Sequence, residues 1–276
     1  MPEIAVRDAA PFDLAAIAAI AVAAGQDDDW GGRNPAYIEH LMRHGRVVVA
    51  VAGGQVTGFG AVQQIGTGPV AVTMLCDLFV DPAGHGSGLG RAMLGALWRD
   101  APRRMTFSSQ HANAVPLYTS FGLDAWWPLL YLQGDNRTLE VPAGWAAAAA
   151  TATQVGELEL DWTGIDRTAD HQAWQARPNG AGLLVVRDGE PVAAGTAAGP
   201  ELMHLAIRPD VEDAALPVLT TLAGLSPGGS VCLPAPHPAV RALLAAGWRI
   251  GYLDLFMESE PGLLDPRRAV PSPGQA

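Results

Sequence analysis

One order of strands and helices can be read twice along these 276 residues, and that repetition restricts the fold more than any other feature. In the first copy residues 4–7 suit a short strand, and Pro11-Phe12-Asp13 opens a helix whose Leu14, Ile17, Ile20 and Ala21 recur at helical spacing. Residues 35–44 predict a second helix, closed by Gly45. Two β-rich runs, 46–52 and 55–62, flank Gly53-Gly54 as a hairpin. A strand over 73–80 then meets Asp81-Pro82, the alternating Gly84, Gly86, Gly88 and Gly90, and a helix over 91–100. Strand 105–108, helix 113–121 and strand 126–133 complete the copy.

The second copy repeats that ending: a hairpin over 183–187 and 192–196, a strand over 203–207, a helix over 214–224, then strand 230–233, helix 239–246 and strand 251–257. Leu78-Phe79-Val80-Asp81-Pro82 aligns with Leu205-Ala206-Ile207-Arg208-Pro209, which implies an internal duplication. Between the copies, Val141 to Ala146 and the Ala/Thr run after it read as a linker or a weakly determined helix. The expected fold class is α/β (α+β): two tandem units, each a mixed, mostly antiparallel sheet flanked by helices. The expected boundaries are 1–139, 140–260 and a tail over 261–276.

Composition removes several functions. Apolar residues make up 49% and charged residues 16%, so the chain can bury a core and is not disordered. Acidic residues number 28 against 17 basic ones, a net charge of −11, and no nucleic-acid partner is expected. Every basic residue is Arg, and without Lys there is no Walker A lysine, Schiff-base lysine or pyridoxal-phosphate anchor. The longest apolar stretch, 14–25, is shorter than the ~20 residues of a membrane span, and Met1-Pro2-Glu3 lacks the basic start of a signal peptide. A cytoplasmic protein without membrane contact is expected, as a monomer or homodimer. Cys76 and Cys232 sit in apolar strand-like runs and read as reduced core thiols, and no metal site is expected.

The segment Asp81 to Arg91 is the candidate site. Where a strand enters a helix, glycines let backbone N–H groups turn inward, and the helix dipole adds about half a positive charge, so a pyrophosphate can be held without Lys. The dinucleotide pattern G-x-G-x-x-G fails by counting, because Arg91 lies three after Gly88 and Leu89 three after Gly86. Gly224-Leu-Ser226-Pro-Gly228 matches G-x-S-x-G but lies between a helix and a strand, the reverse of a nucleophile elbow.

The run His85-Gly86-Ser87-Gly88-Leu89-Gly90 after a strand and before a helix resembles the signature Gln/Arg-x-x-Gly-x-Gly/Ala of the GCN5-related N-acetyltransferase (GNAT) family, with His85 in place of Gln or Arg. A second family element, A-x-x-L-Y-x-x-x-G-F, is similar to Ala114-Val-Pro-Leu117-Tyr118-Thr-Ser-Phe-Gly122-Leu123. The resemblance implies acetyl-coenzyme A (acetyl-CoA) as co-substrate, with Leu78, Phe79 and Val80 along its pantetheine arm. It places His85, Gly86, Ser87, Gly88, Leu89, Gly90 and Arg91 at the pyrophosphate. Family members place an Asn seven residues before the tyrosine, where this chain has His111, with Asn113 two residues on.

The implied reaction carries acetyl to an amine of a small molecule or a protein. By the same resemblance Tyr118 is the acid that protonates the departing thiolate. The base is open among Asp77, His111, Glu39 and a water chain. The acidic loop Asp27-Asp28-Asp29-Trp30 covers the implied acceptor side, and Trp126, Trp127 and Tyr131 suit core packing better than an acceptor pocket.

The second copy is expected to be inactive. Asp210, Glu212 and Asp213 stand where the glycine loop should be, and Leu243 stands in the place of Tyr118. That half resembles the degenerate C-terminal domain of tandem GNAT proteins, whose Gly-x-Asp-Arg segment is matched by Gly164-Ile165-Asp166-Arg167. Two further readings stay open: a non-catalytic acyl-CoA sensor or pseudoenzyme, and a structural protein in which both halves are inactive.

Overall fold

The computed structural model describes residues 4–25, 34–68, 71–84 and 86–274. The first half runs β1 (Ile4–Asp8), α1 (Leu14–Ala23), α2 (Pro35–His44), β2 (Gly45–Ala52), β3 (Gln55–Ile65), β4 (Val72–Val80), α3 (Leu89–Leu97), β5 (Arg104–Ser108), α4 (Ala114–Thr119) and β6 (Asp124–Gly134). The second half repeats that order without a gap: β7 (Trp145–Ala150), α5 (Ala152–Thr163), α6 (Thr168–Gln175), β8 (Gly180–Arg187), β9 (Glu190–Ala198), β10 (Glu201–Ile207), α7 (Ala215–Ala223), β11 (Gly229–Pro234), α8 (Pro238–Ala245) and β12 (Arg249–Glu258).

The duplication therefore extends further than the sequence reading, which took the Ala-rich stretch for a linker or weak helix. Residues Trp145–Ala150 instead form β7, paired antiparallel with β8 from Trp145–Arg187 to Ala150–Gly182. Alanine has little preference for strands, but an edge strand needs only a partner for its backbone, and the alanines of β7 lie mostly exposed. The helix after it opens on a capping box, which the sequence reading did not single out. Gln154 N–H donates to Thr151 Oγ1 and Thr151 N–H donates to Gln154 Oε1.

All twelve described strands join one sheet in the order β1-β2-β3-β4-β5-β12-β6-β11-β10-β9-β8-β7. Read from either end, each half contributes five strands and is followed by the last strand of the other half. β12 is bonded to β5 from Leu255–Ser108 to Glu258–Met105, and β6 to β11 from Gly229–Gly134 to Pro234–Leu129. The exchange is sealed by aromatic rings. Trp127 of β6 stacks on Phe256 of β12 with centroids 4.2 Å apart, and Phe107 of β5 packs on both. Trp127 thus serves packing, Tyr131 lies half-buried against the same cluster with its hydroxyl donating to Asp254, and Trp126 is exposed.

A buried polar chain ties the helical layers of the two halves. His40 of α2 and Gln63 of β3 both bond Asp170 of α6 at 2.7 Å, and Arg167 approaches Asp170 at 3.6 Å and Glu159 of α5 at 3.2 Å. Arg167 belongs to the Gly-x-Asp-Arg segment, in which Gly164 closes α5 in the left-handed conformation and Asp166 accepts from Thr168 N–H. Sequence reasoning missed this network because its members lie far apart in the chain.

Candidate functional site

The site begins with an irregularity in β4. Its register with β3 slips between the pairs Ala61–Asp77 and Val62–Leu75, which makes Cys76 a bulge residue. On its other edge β4 pairs with β5 over three positions, Thr73–Arg104 to Leu75–Thr106, and then the strands part. From Cys76 to Val80 that edge faces a cleft of about 860 Å³, within the range of small-molecule sites.

The loop at the mouth of the cleft follows its composition. Gly86 and Gly88 are both left-handed, φ +79° and +88°, a conformation that side chains disfavour. Gly88 is the N-cap of α3 and no side chain caps that helix, so its first-turn N–H groups point outward unpaired with the positive end of the dipole. Ser87 is spent on the loop itself, because its hydroxyl and its N–H both donate to the Gly84 carbonyl. Leu89 lines the cleft and also roots α3 in the core at 3% exposure.

The other expected residues converge on the same cleft. Leu78, Phe79 and Val80 form its strand wall, Gly86, Gly88, Gly90 and Arg91 its mouth, and His111, Asn113 and Tyr118 its far wall. His85 and the acidic loop 27–30 lie outside the described residues. His111 is exposed, and its Nδ1 accepts from Asn113 N–H at 3.3 Å. Tyr118 is buried edge-on against Trp98, and its hydroxyl has no hydrogen-bond partner among the described residues. Burial, with Asp77 and Asp254 nearby, pushes the Tyr118 phenol well above its ordinary range, so it stays protonated near neutral pH.

Of the base candidates, Asp77 lies in the cleft wall and Glu39 does not: it is exposed on α2. Burial pushes Asp77 up to about 6, and a hydrogen bond from the Tyr37 hydroxyl at 2.8 Å pulls the other way. The exchanged strand adds Tyr252, which the sequence reading did not single out because β12 belongs to the other copy.

The second half has the same frame with the gap filled. β10 slips against β9 between Leu202 and His204, so Met203 is its bulge and His204 stands where Asp77 stands. β10 pairs with β11 only at Glu201–Ser230 and Leu202–Val231 before they part. Because β9 holds the other edge of β10 as far as Ile207, the bridge from Leu205 to Val270 lies in that gap. Arg268 donates to the carbonyls of Val211 and Arg208, in the loop that replaces the glycine loop, and Asp213 accepts from Ala215 N–H at the start of α7. The tail is thus folded against the second half at Arg268 and Val270, the latter 1% exposed.

His204 turns away from any cleft. Its Nε2 lies 3.0 Å from one oxygen of Glu159, and His171 Nε2 lies 2.8 Å from the other. These ligand-type atoms lie within 4.8 Å of one another, a spacing that would suit a metal ion. Arg167 already supplies the compensating positive charge, and two imidazole N–H donors complete the carboxylate's bonds. Burial opposes ionisation of Glu159, but His204, His171 and Arg167 outweigh it and hold the carboxyl well below its usual range.

Residues 43–122 match the sequence profile of the Acetyltransferase (GNAT) domain. No curated protein matches the sequence. Among solved structures, a candidate acetyltransferase of Pyrococcus horikoshii superposes with a TM-score of 0.75 at 14% identity, covering 99% of this chain and 96% of its own. A GCN5-related N-acetyltransferase of Anabaena variabilis gives 0.67 at 11% identity over 93% of this chain and 72% of its own. A tandem GNAT protein from the clavulanic acid biosynthesis pathway gives 0.61 at 15% identity over 94% of this chain and 100% of its own. No helix among the described residues is long and apolar enough to cross a membrane. Residues 43–122 thus match a GNAT acetyltransferase domain, and the chain as a whole has the fold of tandem GNAT proteins.

Proposed function

We propose that the first half is an acetyl-CoA-dependent N-acetyltransferase acting on an amine of a small molecule or a protein. The observation that carries this reading is the open gap between β4 and β5, with a left-handed, uncapped glycine loop at its mouth and Asp77 and Tyr118 on its walls. The residues fit the co-substrate. Outward N–H groups at a helix start suit a pyrophosphate, and an open strand edge suits the amides of a pantetheine arm.

The co-substrate supplies a thioester carbonyl, and the chain supplies the proton handling. Asp77, ionised above about pH 6, takes a proton from the attacking amine. Tyr118, kept protonated by burial, gives its proton to the departing thiolate. The second half contributes a wall through Tyr252 and no chemistry of its own.

Thiol release from acetyl-CoA across an amine library, paired with calorimetric binding, tests this reading. Tyr118→Phe should lower turnover about 100-fold or more with acetyl-CoA affinity nearly unchanged. Asp77→Asn should lower it similarly and remove the acid limb of the pH profile. Binding without thiol release on any amine would favour the sensor, and absence of binding would refute both.

A further inference from the structure

The tail that fills the second gap continues to the first site. Beyond Val270 it crosses back to α2, where the Gly274 carbonyl accepts from the Tyr37 hydroxyl at 3.1 Å. The same hydroxyl donates to Asp77 Oδ2 at 2.8 Å, so one proton faces two acceptors. With Asp77 ionised, the Tyr37 proton rests on the carboxylate. With Asp77 protonated, the carboxyl donates to the Tyr37 oxygen and the Tyr37 proton turns to Gly274. In both states Asp77 keeps its hydrogen bond to Tyr37, and the group that gives up its partner on ionisation is the half-buried Gly274 carbonyl.

We infer that Tyr37 and the tail carbonyl of Gly274 are positioning groups for Asp77, a two-position relay that lets this carboxyl gain and lose a proton without losing its hydrogen bond to Tyr37. The role rests on the reading of Asp77 as the base. Both parts are held firmly. Tyr37 is buried one turn into α2, whose first turn is capped by Asn34 on Ala36 N–H, and the tail is anchored by Arg268, Val270 and the buried Ser272.

The surroundings leave the relay in control of Asp77. Its titratable neighbours are Tyr37 of α2, Cys76 beside it on β4 and Tyr118 of α4, each pushed up by burial and hence neutral near pH 7. β3 offers Ala61 and α1 offers Ala23, while Arg91 of α3, His111 and Tyr252 of β12 line the same cleft.

Carboxyl-carbon NMR titration of Asp77 in the full-length chain, without acceptor or co-substrate, tests the relay independently of turnover. Tyr37→Phe keeps the ring and removes the donor to the ionised form, so the midpoint should rise by about one pH unit. In Gly274→Val the Cβ alone would sit 2.9 Å from the Tyr37 oxygen, so the tail and Tyr37 must move apart and the bond to the tail carbonyl is lost. The Tyr37 proton then belongs to the carboxylate alone and the midpoint should fall, an effect that vanishes in the double variant. A Gly274→Val midpoint that stays or rises, or the same fall in the double variant, overturns the relay. Thermal melts show that each variant is folded. Wild-type turnover in Asp77→Asn would instead remove the catalytic reading of Asp77 and leave these shifts standing.

Discussion

Two strand gaps in one sheet carry opposite contents. In the first half the edge of β4 beyond the Cys76 bulge is open to a cleft, and the glycine loop presents unpaired N–H groups. In the second half the edge of β10 beyond the Met203 bulge is bridged by the chain's own Val270, and Asp213 already satisfies an N–H at the start of α7. The residue after each bulge follows suit. Asp77 faces the cleft, and His204 is absorbed into a buried hydrogen bond with Glu159. The backbone frame alone therefore makes no site. What decides is whether the gap is left empty and which sign of charge meets the helix dipole.

The largest way to break this contrast is at the closed end. Glu159→Gln removes the carboxylate that receives Arg167, His171 and His204, and should cost about 3–5 kcal/mol, read by denaturant unfolding at pH 7.5. The sign with pH follows from the lowered folded value. Support from Glu159 is complete above the ordinary carboxyl value of about 4.3 and is lost as pH falls below it, so wild type and variant should converge in acid.

A second change copies the acidic loop into the open gap. Gly88→Asp puts a carboxylate at the N-cap of α3 and forces a side chain into φ +88°. Acetyl-CoA affinity should fall on the order of 100-fold by calorimetry, since a like charge facing the pyrophosphate costs several kcal/mol. Affinity within a few-fold of wild type would show that the loop does not hold the anion.

A third change loosens the filled gap. Val270→Ala removes buried methyl groups beside Leu205 and should cost about 1–2 kcal/mol, or a few degrees in Tm. The calorimetric stoichiometry for acetyl-CoA should stay at one site per chain, because the acidic loop persists. A second site on loosening the tail would mean that occupancy rather than charge disables this half.

The first half was legible wherever function and local structure share a signal. The alternating glycines marked the loop, and the Leu117-Tyr118 pair marked α4, because a left-handed turn and a helix periodicity are local facts. The strand exchange was not legible, since residues 124–134 and 249–258 both read as apolar strands and nothing local says which of them takes the edge of β5. The partner of Asp77 escaped for a related reason. Tyr37 reads as one apolar position on α2, and its second acceptor lies 237 residues away. β7 was hidden by alanine, whose local preference is overruled by pairing with β8.

The smallest predicted effect separates the key carboxyls of the two halves, Asp77 and Glu159, by the direction in which each shifts. Asp77 is pushed up to about 6 from an ordinary value near 4. A carboxyl harder to ionise in the folded state weakens folding as pH rises through that interval, with the full penalty above pH 6. A displacement of about two units bounds the penalty near 3 kcal/mol, and Asn still has to be hydrogen-bonded in the same place, so Asp77→Asn should stabilise by about 1 kcal/mol at pH 8. At pH 4 the gain should disappear. This is the reverse of Glu159→Gln, whose deficit is greatest at high pH, so unfolding curves at pH 4 and pH 8 distinguish a site carboxylate held under strain from a structural one held in a network. A Asp77→Asn gain that is equal at both pH values would show that Asp77 ionises freely, and would remove the physical basis for its acting as a base near neutrality.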